Sequence, residues 1–240
     1  MIKETILGVD VLVSSYENLL DDIEDDIRQG KQAEVISINP EKIISARNSV
    51  SLKQFLNDAT YTIPDGIGIV LASKIKKGAI SSRMTGIETM DKLCSLSNNK
   101  GYKIFLYGSG KEVLSKARRT LETRYEQINI VGCQDGYEKD SQKVIDKINA
   151  SKAQILFLAL GSPKQEEFIM AHRQELCITI FQGVGGSFDI LSGKVQRAPL
   201  WMQKVGLEWL YRLAREPKRI FRQINLVKFL ALVFFEKQKQ

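Results

Sequence analysis

The stretch Ile155-Leu156-Phe157-Leu158-Ala159-Leu160-Gly161-Ser162-Pro163-Lys164-Gln165-Glu166 decides the fold. Its first six residues are apolar without alternation, the pattern of a short strand covered on both faces. Gly161-Ser162-Pro163 ends the strand, and a helix opens with polar groups in its first turn. A strand buried on both sides that turns at once into a helix belongs to a parallel sheet with helices above and below. The same pattern recurs outward. Residues 178–182 read as another buried strand, ending at Gly183-Val184-Gly185-Gly186. Residues 103–107 form a strand that ends at Gly108-Ser109-Gly110, and residues 128–133 one that precedes a helix over about 141–151.

The first third of the chain follows suit. Residues 6–13 look like one extended segment, and residues 34–38 like a short strand. Ser14 and Glu17 form a capping box for a helix that Gly30 stops. Pro40 suits the first turn of the next helix. Residues 61–64 lead to the turn Asp65-Gly66 and a helix over 67–76, and Thr85 and Glu88 form a second capping box. From about residue 198 the alternation stops, and the rest reads as helices broken near Gly206 and Pro217. The expectation is a Rossmann-like α/β core over 1–197 with a parallel sheet and helices on both faces. A basic, amphipathic helical appendage over 198–240 completes the chain.

Composition narrows the function classes. The chain has 240 residues, 43% of them hydrophobic and 26% charged, as a single core with an appendage requires. Cys94, Cys133 and Cys177 are scattered singly, which fits a reducing compartment better than a disulfide framework. The opening residues lack a long apolar segment, so no export signal is expected. No apolar run reaches the roughly 20 residues that span a bilayer. The net charge of +7 is uneven: from Lys194 onward 11 basic residues face three acidic ones, while the rest holds 24 basic and 25 acidic side chains. The near-neutral core gives no charge-based case for nucleic acid.

In open parallel sheets ligands sit beyond the carboxyl ends of the strands. The unusual residues of this chain cluster there: Asn39, Asp65, Gly108-Ser109-Gly110, residues 161–165 and residues 183–186. Asp65 is either a turn former or a carboxylate that accepts a proton from an attacking hydroxyl. Gly108, Ser109 and Gly110 resemble the start of a dinucleotide fingerprint, but position 113 is Val, which weakens an NAD-dependent nucleotide-sugar oxidoreductase or epimerase. A tight turn, or amides that bind a phosphate, remain for them. Gln165 can donate and accept hydrogen bonds, as sugar hydroxyls demand. Arg83 precedes a helix and can pair with a diphosphate. The lone histidine, His172, and the unclustered cysteines offer no zinc site. With no Asp-x-Asp sequence either, metal-independent chemistry without a cofactor is expected.

In the tail, Arg212, Arg215, Arg219 and Arg222 share one face if the helix is continuous. Residues 224–235 are strongly apolar but interrupted by Lys228. A basic arc followed by apolar and aromatic residues suits a helix lying on an anionic membrane surface. Packing on the core or in a homo-oligomer is the other reading.

Taken together, these motifs resemble the WecG/TagA/CpsF family of bacterial glycosyltransferases. The resemblance rests on Asn39-Pro40-Glu41, on Pro64-Asp65-Gly66-Ile67-Gly68, and on Arg83 with Thr85-Gly86. It rests also on residues 161–166, on Gly183-Val184-Gly185-Gly186-Ser187-Phe188-Asp189, and on the following residues 193–199. It implies an inverting transferase that passes N-acetylmannosamine or a related sugar from a UDP donor to a polyprenyl-diphosphate-linked N-acetylglucosamine. The polymer would be teichoic acid or another surface polysaccharide. UDP-N-acetylmannosaminuronic acid and UDP-glucose are alternative donors. By the same resemblance Asp65 is the base, and Ser37, Asn39, Arg83 and Gln165 contact substrate. Gly161, Gly185, Gly186 and Asp189 are assigned to the nucleotide along with residues 108–110. Arg212, Arg219 and Arg222 reach over the cleft from an appendage docked on the inner face of the cell membrane. Ser37 stands where many members carry Thr.

Overall fold

A computed structural model of the chain describes residues 1–204, 206–215 and 220–237. The chain opens with an antiparallel hairpin, β1 (Ile2–Ile6) and β2 (Val9–Val13), rather than one extended segment. Leu7 and Gly8 both take positive φ, the geometry that matches a two-residue turn to strand twist. Neither pairs with the Asn or Asp that would announce such a turn. The hairpin is tied down by Asn57, which donates to Gly8 O and accepts from Asp10 N, both at 3.1 Å.

α1 (Tyr16–Gln29) is capped by Ser15, whose hydroxyl accepts from Asn18 N at 3.2 Å, so the cap falls one residue after Ser14. Gly30 closes it in the left-handed conformation. There follow β3 (Ala33–Ile38), α2 (Pro40–Arg47), α3 (Val50–Asp58) and β4 (Tyr61–Pro64). The short α3, capped by Ser49, had no counterpart in the sequence pattern. Next come α4 (Ile67–Lys76), α5 (Gly86–Lys100), β5 (Lys103–Gly108), α6 (Lys111–Arg124), β6 (Asn129–Gln134) and α7 (Ser141–Ala150). The core ends with β7 (Ile155–Ala159), α8 (Lys164–His172), β8 (Ile180–Gly183) and the one-turn α9 (Ser187–Leu191). Three helices complete the described chain: α10 (Leu200–Lys204), α11 (Glu208–Arg215) and α12 (Ile220–Lys237).

Six strands form one sheet in the order β4-β3-β8-β7-β5-β6, with every neighbouring pair parallel. Alternation along each strand feeds two separate cores. Ile36, Ile38, Leu156, Leu158 and Phe181 pack on one face with α2, α3, α4, α7 and α8. Val35, Ile63, Ile155, Phe157 and Ile180 pack on the other with α1, α5 and α6. The helix after β8 therefore leaves on the opposite face from those after β3 and β7. The loops at the carboxyl ends of these strands splay apart, and a crevice opens between them.

The last helix closes the first core. Phe229 and Val233, one turn apart, are fully buried in it, while Val227, Phe234 and Phe235 on other faces of α12 are exposed. Among the described residues no helix is long and apolar enough to cross a membrane. The expected break at Gly206 is present, with φ at +77°; Pro217 lies outside the described residues. Removing a buried aromatic ring costs its transfer energy plus a cavity, so Phe229→Ala should destabilise the chain by about 3 kcal/mol. Urea unfolding of the full chain measures this, and an unchanged midpoint would show that α12 does not pack there.

Candidate active site

A cavity of 680 Å³ lies over the carboxyl ends of β3, β4, β7 and β8. Its floor is built by three close approaches. Asp65 N donates to Ile38 O at 2.7 Å, extending the β3–β4 ladder by one residue and placing Asp65 beside the end of β3. Gly66, at φ +89°, then turns the chain into α4. From the opposite face, the first turn of α5 comes down onto the same point. A Cβ on Gly86 would sit 2.7 Å from Ser37 Oγ and 4.0 Å from Asp65 Oδ2. Only glycine lets that helix start approach the Ser37 hydroxyl so closely. Its amino end, with the partial positive charge of a helix start, thus comes close to the hydroxyl and the carboxylate.

The walls are equally constrained. Asn39 caps α2, its Oδ1 accepting from Lys42 N at 2.8 Å. A Cβ on Gly68 would sit 2.5 Å from Pro40 Cγ, so α4 and α2 start in near contact. Gln165, in the first turn of α8, is 5% exposed and lies over Gly183 at the end of β8. Its Oε1 accepts from Gly185 N at 3.3 Å, and its Nε2 donates to Glu166 Oε1 at 3.0 Å. Glu166 also takes a buried ion pair with Lys42 of α2 at 2.7 Å.

Arg83 enters the cavity already engaged. Its Nη2 donates to Gln203 O at 2.6 Å, and its Nη1 lies 3.5 Å from Glu208 Oε2 of α11. Glu208 is also 3.7 Å from Arg197, which holds Glu88 at 2.6 Å. Glu88 accepts from the Tyr16 hydroxyl at 3.1 Å, and that hydroxyl accepts from Thr85 N at 2.9 Å. This chain of polar contacts ties the appendage to the first turn of α5. Burial, and the Glu88 carboxylate beside it, push the Tyr16 hydroxyl well above its ordinary value. Burial opposes ionisation of Glu88, yet the hydrogen bonds and charge of Arg197 and the bonds from Thr85 and Tyr16 hold its carboxyl below the usual range.

Of the residues expected at the site, Ser37, Asn39, Asp65, Arg83, Gly161, Gln165, Gly185 and Gly186 line this one cavity. Gly108, Ser109, Gly110 and Asp189 do not. At Gly108, with φ +117°, a Cβ would meet the Ala159 carbonyl at 2.6 Å, so close packing of β5 on β7 requires glycine there. Asp189 pairs with Lys194 at 3.0 Å and flanks Gly186. The exposed ring of Tyr137 lies against Gly110. These residues form a shelf beside the cavity. Arg219 lies outside the described residues, as do the side chains of Arg212 and Arg222. The sequence reading missed Lys42, Glu208, Trp209 and Leu226 in the lining and Tyr137 on the shelf. Asp135-Gly136-Tyr137, a turn after a strand, was the available signal for the last. Among the described residues no three His, Cys, Asp or Glu side chains gather as a metal cluster would.

Carboxylates, hydroxyls, amides and helix starts gather at the crevice of a parallel sheet, the arrangement of an α/β enzyme with a polar substrate. The chain belongs to the glycosyl transferase WecG/TagA/CpsF family, whose model matches residues 4–240. It is 34% identical to the N-acetylglucosaminyldiphosphoundecaprenol N-acetyl-beta-D-mannosaminyltransferase of Bacillus subtilis (strain 168), over all of this chain and 94% of the relative. It is 36% identical to the enzyme of the same name from Bacillus spizizenii, over 85% of this chain and 80% of the relative.

Because the Glu88 carboxyl is held below its ordinary value of 4.5, its contribution to stability is complete above that pH and is lost as pH falls through the folded-state value. Thermal melts between pH 7 and pH 3 should show a steeper acid loss in the wild type than in Glu88→Gln. Parallel curves would show that the Arg197–Glu88 contact carries no stability.

Proposed function

We propose that this protein is an inverting, metal-independent transferase that moves N-acetylmannosamine from its UDP donor to a polyprenyl-diphosphate-linked N-acetylglucosamine, in teichoic acid synthesis. The observation that carries the reading is the meeting of Asp65, Ser37 and the amino end of α5 on the floor of a cavity large enough for a sugar. The relatives' names supply the sugar and the lipid-linked acceptor.

Asp65 takes the proton of the acceptor hydroxyl as its oxygen attacks the donor's anomeric carbon. The bond to UDP breaks on the opposite face, and the configuration inverts. Negative charge grows on the leaving diphosphate, where cations and helix starts stabilise it. Arg83 is a cation of the cavity lining, and the diphosphate competes with Glu208 for it. Arg212, Arg219 and Arg222 are assigned as further cations supplied by the appendage. Gln165 and Asn39 hydrogen-bond the donor sugar, and Ser37 lies beside the base. The nucleotide runs from Gly161, Gly185 and Gly186 past Asp189 to Gly108, Ser109 and Gly110, and its base stacks on Tyr137. The exposed ring of Tyr137 and the start of the four-turn helix α6 support that course.

The acceptor is a lipid, so the enzyme works at the inner face of the membrane. Exposed Trp201, Phe234 and Phe235 in the basic appendage suit the headgroup region.

Asp65→Asn keeps the shape and removes the base. Transfer to a short-chain prenyl-diphosphate acceptor should fall by about 100-fold or more while EDTA leaves the wild-type rate unchanged. A rate near wild type would remove Asp65 from the role, and loss of activity in EDTA would overturn metal independence. In flotation assays with anionic liposomes, Trp201→Ser combined with Phe234→Ser and Phe235→Ser should leave the protein at the bottom. Undiminished flotation would contradict the docking.

A further inference from the structure

Lys42 and Glu166 bury two opposite charges beside the cavity. They are 5% and 0% exposed, lie 124 positions apart in the chain, and belong to the first turns of α2 and α8. A buried ion pair is seldom a good source of stability, because desolvation of both charges offsets their attraction. An apolar pair would hold the two helices together as well. What an apolar pair cannot do is orient the amide between them.

That amide is Gln165. Its two ends are nearly alike in shape and opposite in hydrogen-bond character. Gly185 N can only donate, so the end facing it must be the carbonyl oxygen. The Glu166 carboxylate can only accept, so the end facing it must be the NH2 group. Glu166 Oε1 takes bonds from both Lys42 Nζ at 2.7 Å and Gln165 Nε2 at 3.0 Å, and Glu166 Oε2 has no hydrogen-bond partner among the described residues. The charge of Lys42 compensates the buried carboxylate. These bonds use one N–H of Gln165 and leave the second, and Gln165 is part of the cavity lining.

We infer that Lys42 and Glu166 are positioning residues for sugar transfer: together they lock the Gln165 amide so that it presents one N–H donor, never its carbonyl, to the donor substrate. The inference rests on the transferase reading of the cavity. The lock also joins three strand ends, because Lys42 follows β3, Glu166 follows β7, and Gly185 follows β8. A sugar hydroxyl that accepts from Gln165 would be favoured over a group at the same position that can only donate.

Glu166→Gln is isosteric but weakens the lock, since the new amide can also donate to the carbonyl of a flipped Gln165, which leaves Gly185 N alone to oppose the flip. Its kcat/KM for the UDP-sugar should fall about tenfold, with little further loss when the change is made in a Gln165→Ala background. Independent, multiplying losses in the two backgrounds would overturn the inference. Lys42→Met with Glu166→Leu supplies a second arm. The apolar pair should restore the melting temperature without restoring kcat/KM, whereas recovery of both would reduce the ion pair to a structural role. The two readings fail separately. A wild-type chain that transfers no sugar overturns the function. Identical Gln165 side-chain amide NMR signals in wild type and Glu166→Gln overturn the positioning alone.

Discussion

The meeting of the β3 and β4 ends with the amino end of α5 is the constraint on which the rest of the site depends. Three backbones converge on one point, and the convergence is possible because position 86 carries no Cβ. Thr85 caps the helix there, accepting from Glu88 N at 3.3 Å, and Glu88 continues through Arg197 and Glu208 to Arg83. The cap that starts α5, the charge that sets its position and the cation in the cavity thus form one connected structure. A helix start held beside Ser37 and Asp65 places fixed dipoles at the floor of the cavity.

The parallel sheet was legible because its strands are covered on both sides. Residues 155–160 are apolar throughout, residues 178–182 carry only Thr179 and Gln182 among apolar residues, and the glycines after both mark the strand ends. The cavity-lining positions were legible from those ends, since Asp65 stands directly after β4, Gly185 two residues after β8, and Gln165 in the first turn of the helix that follows β7. What sequence patterns could not reveal were contacts between distant first turns. Nothing local distinguishes Lys42 from a solvated lysine, or Glu166 from the ordinary acidic residue of a helix start. The turn at Leu7-Gly8 was hidden for another reason: a non-glycine residue takes positive φ there. The apolar stretch 224–235 carried two messages at once. Phe229 and Val233 face the core, and Phe234 and Phe235 face outward, so packing and surface display share one helix.

The appendage therefore has structural as well as chemical reasons to stay with the core. α12 fills the first core, Glu208 and Gln203 hold Arg83, and Trp209 and Leu226 line the cavity. An arginine already paired with a carboxylate is desolvated and placed before the substrate arrives, and a diphosphate with more charge than one carboxylate can displace the pairing.

The central claim is a single displacement driven by one carboxylate. It is tested most directly by the anomeric configuration of the product formed from an α-linked UDP-N-acetylmannosamine, read from the one-bond carbon–proton coupling at the transferred sugar. The account predicts a β-linked product only. An α-linked product would require a second nucleophile or a retaining route, and would contradict it.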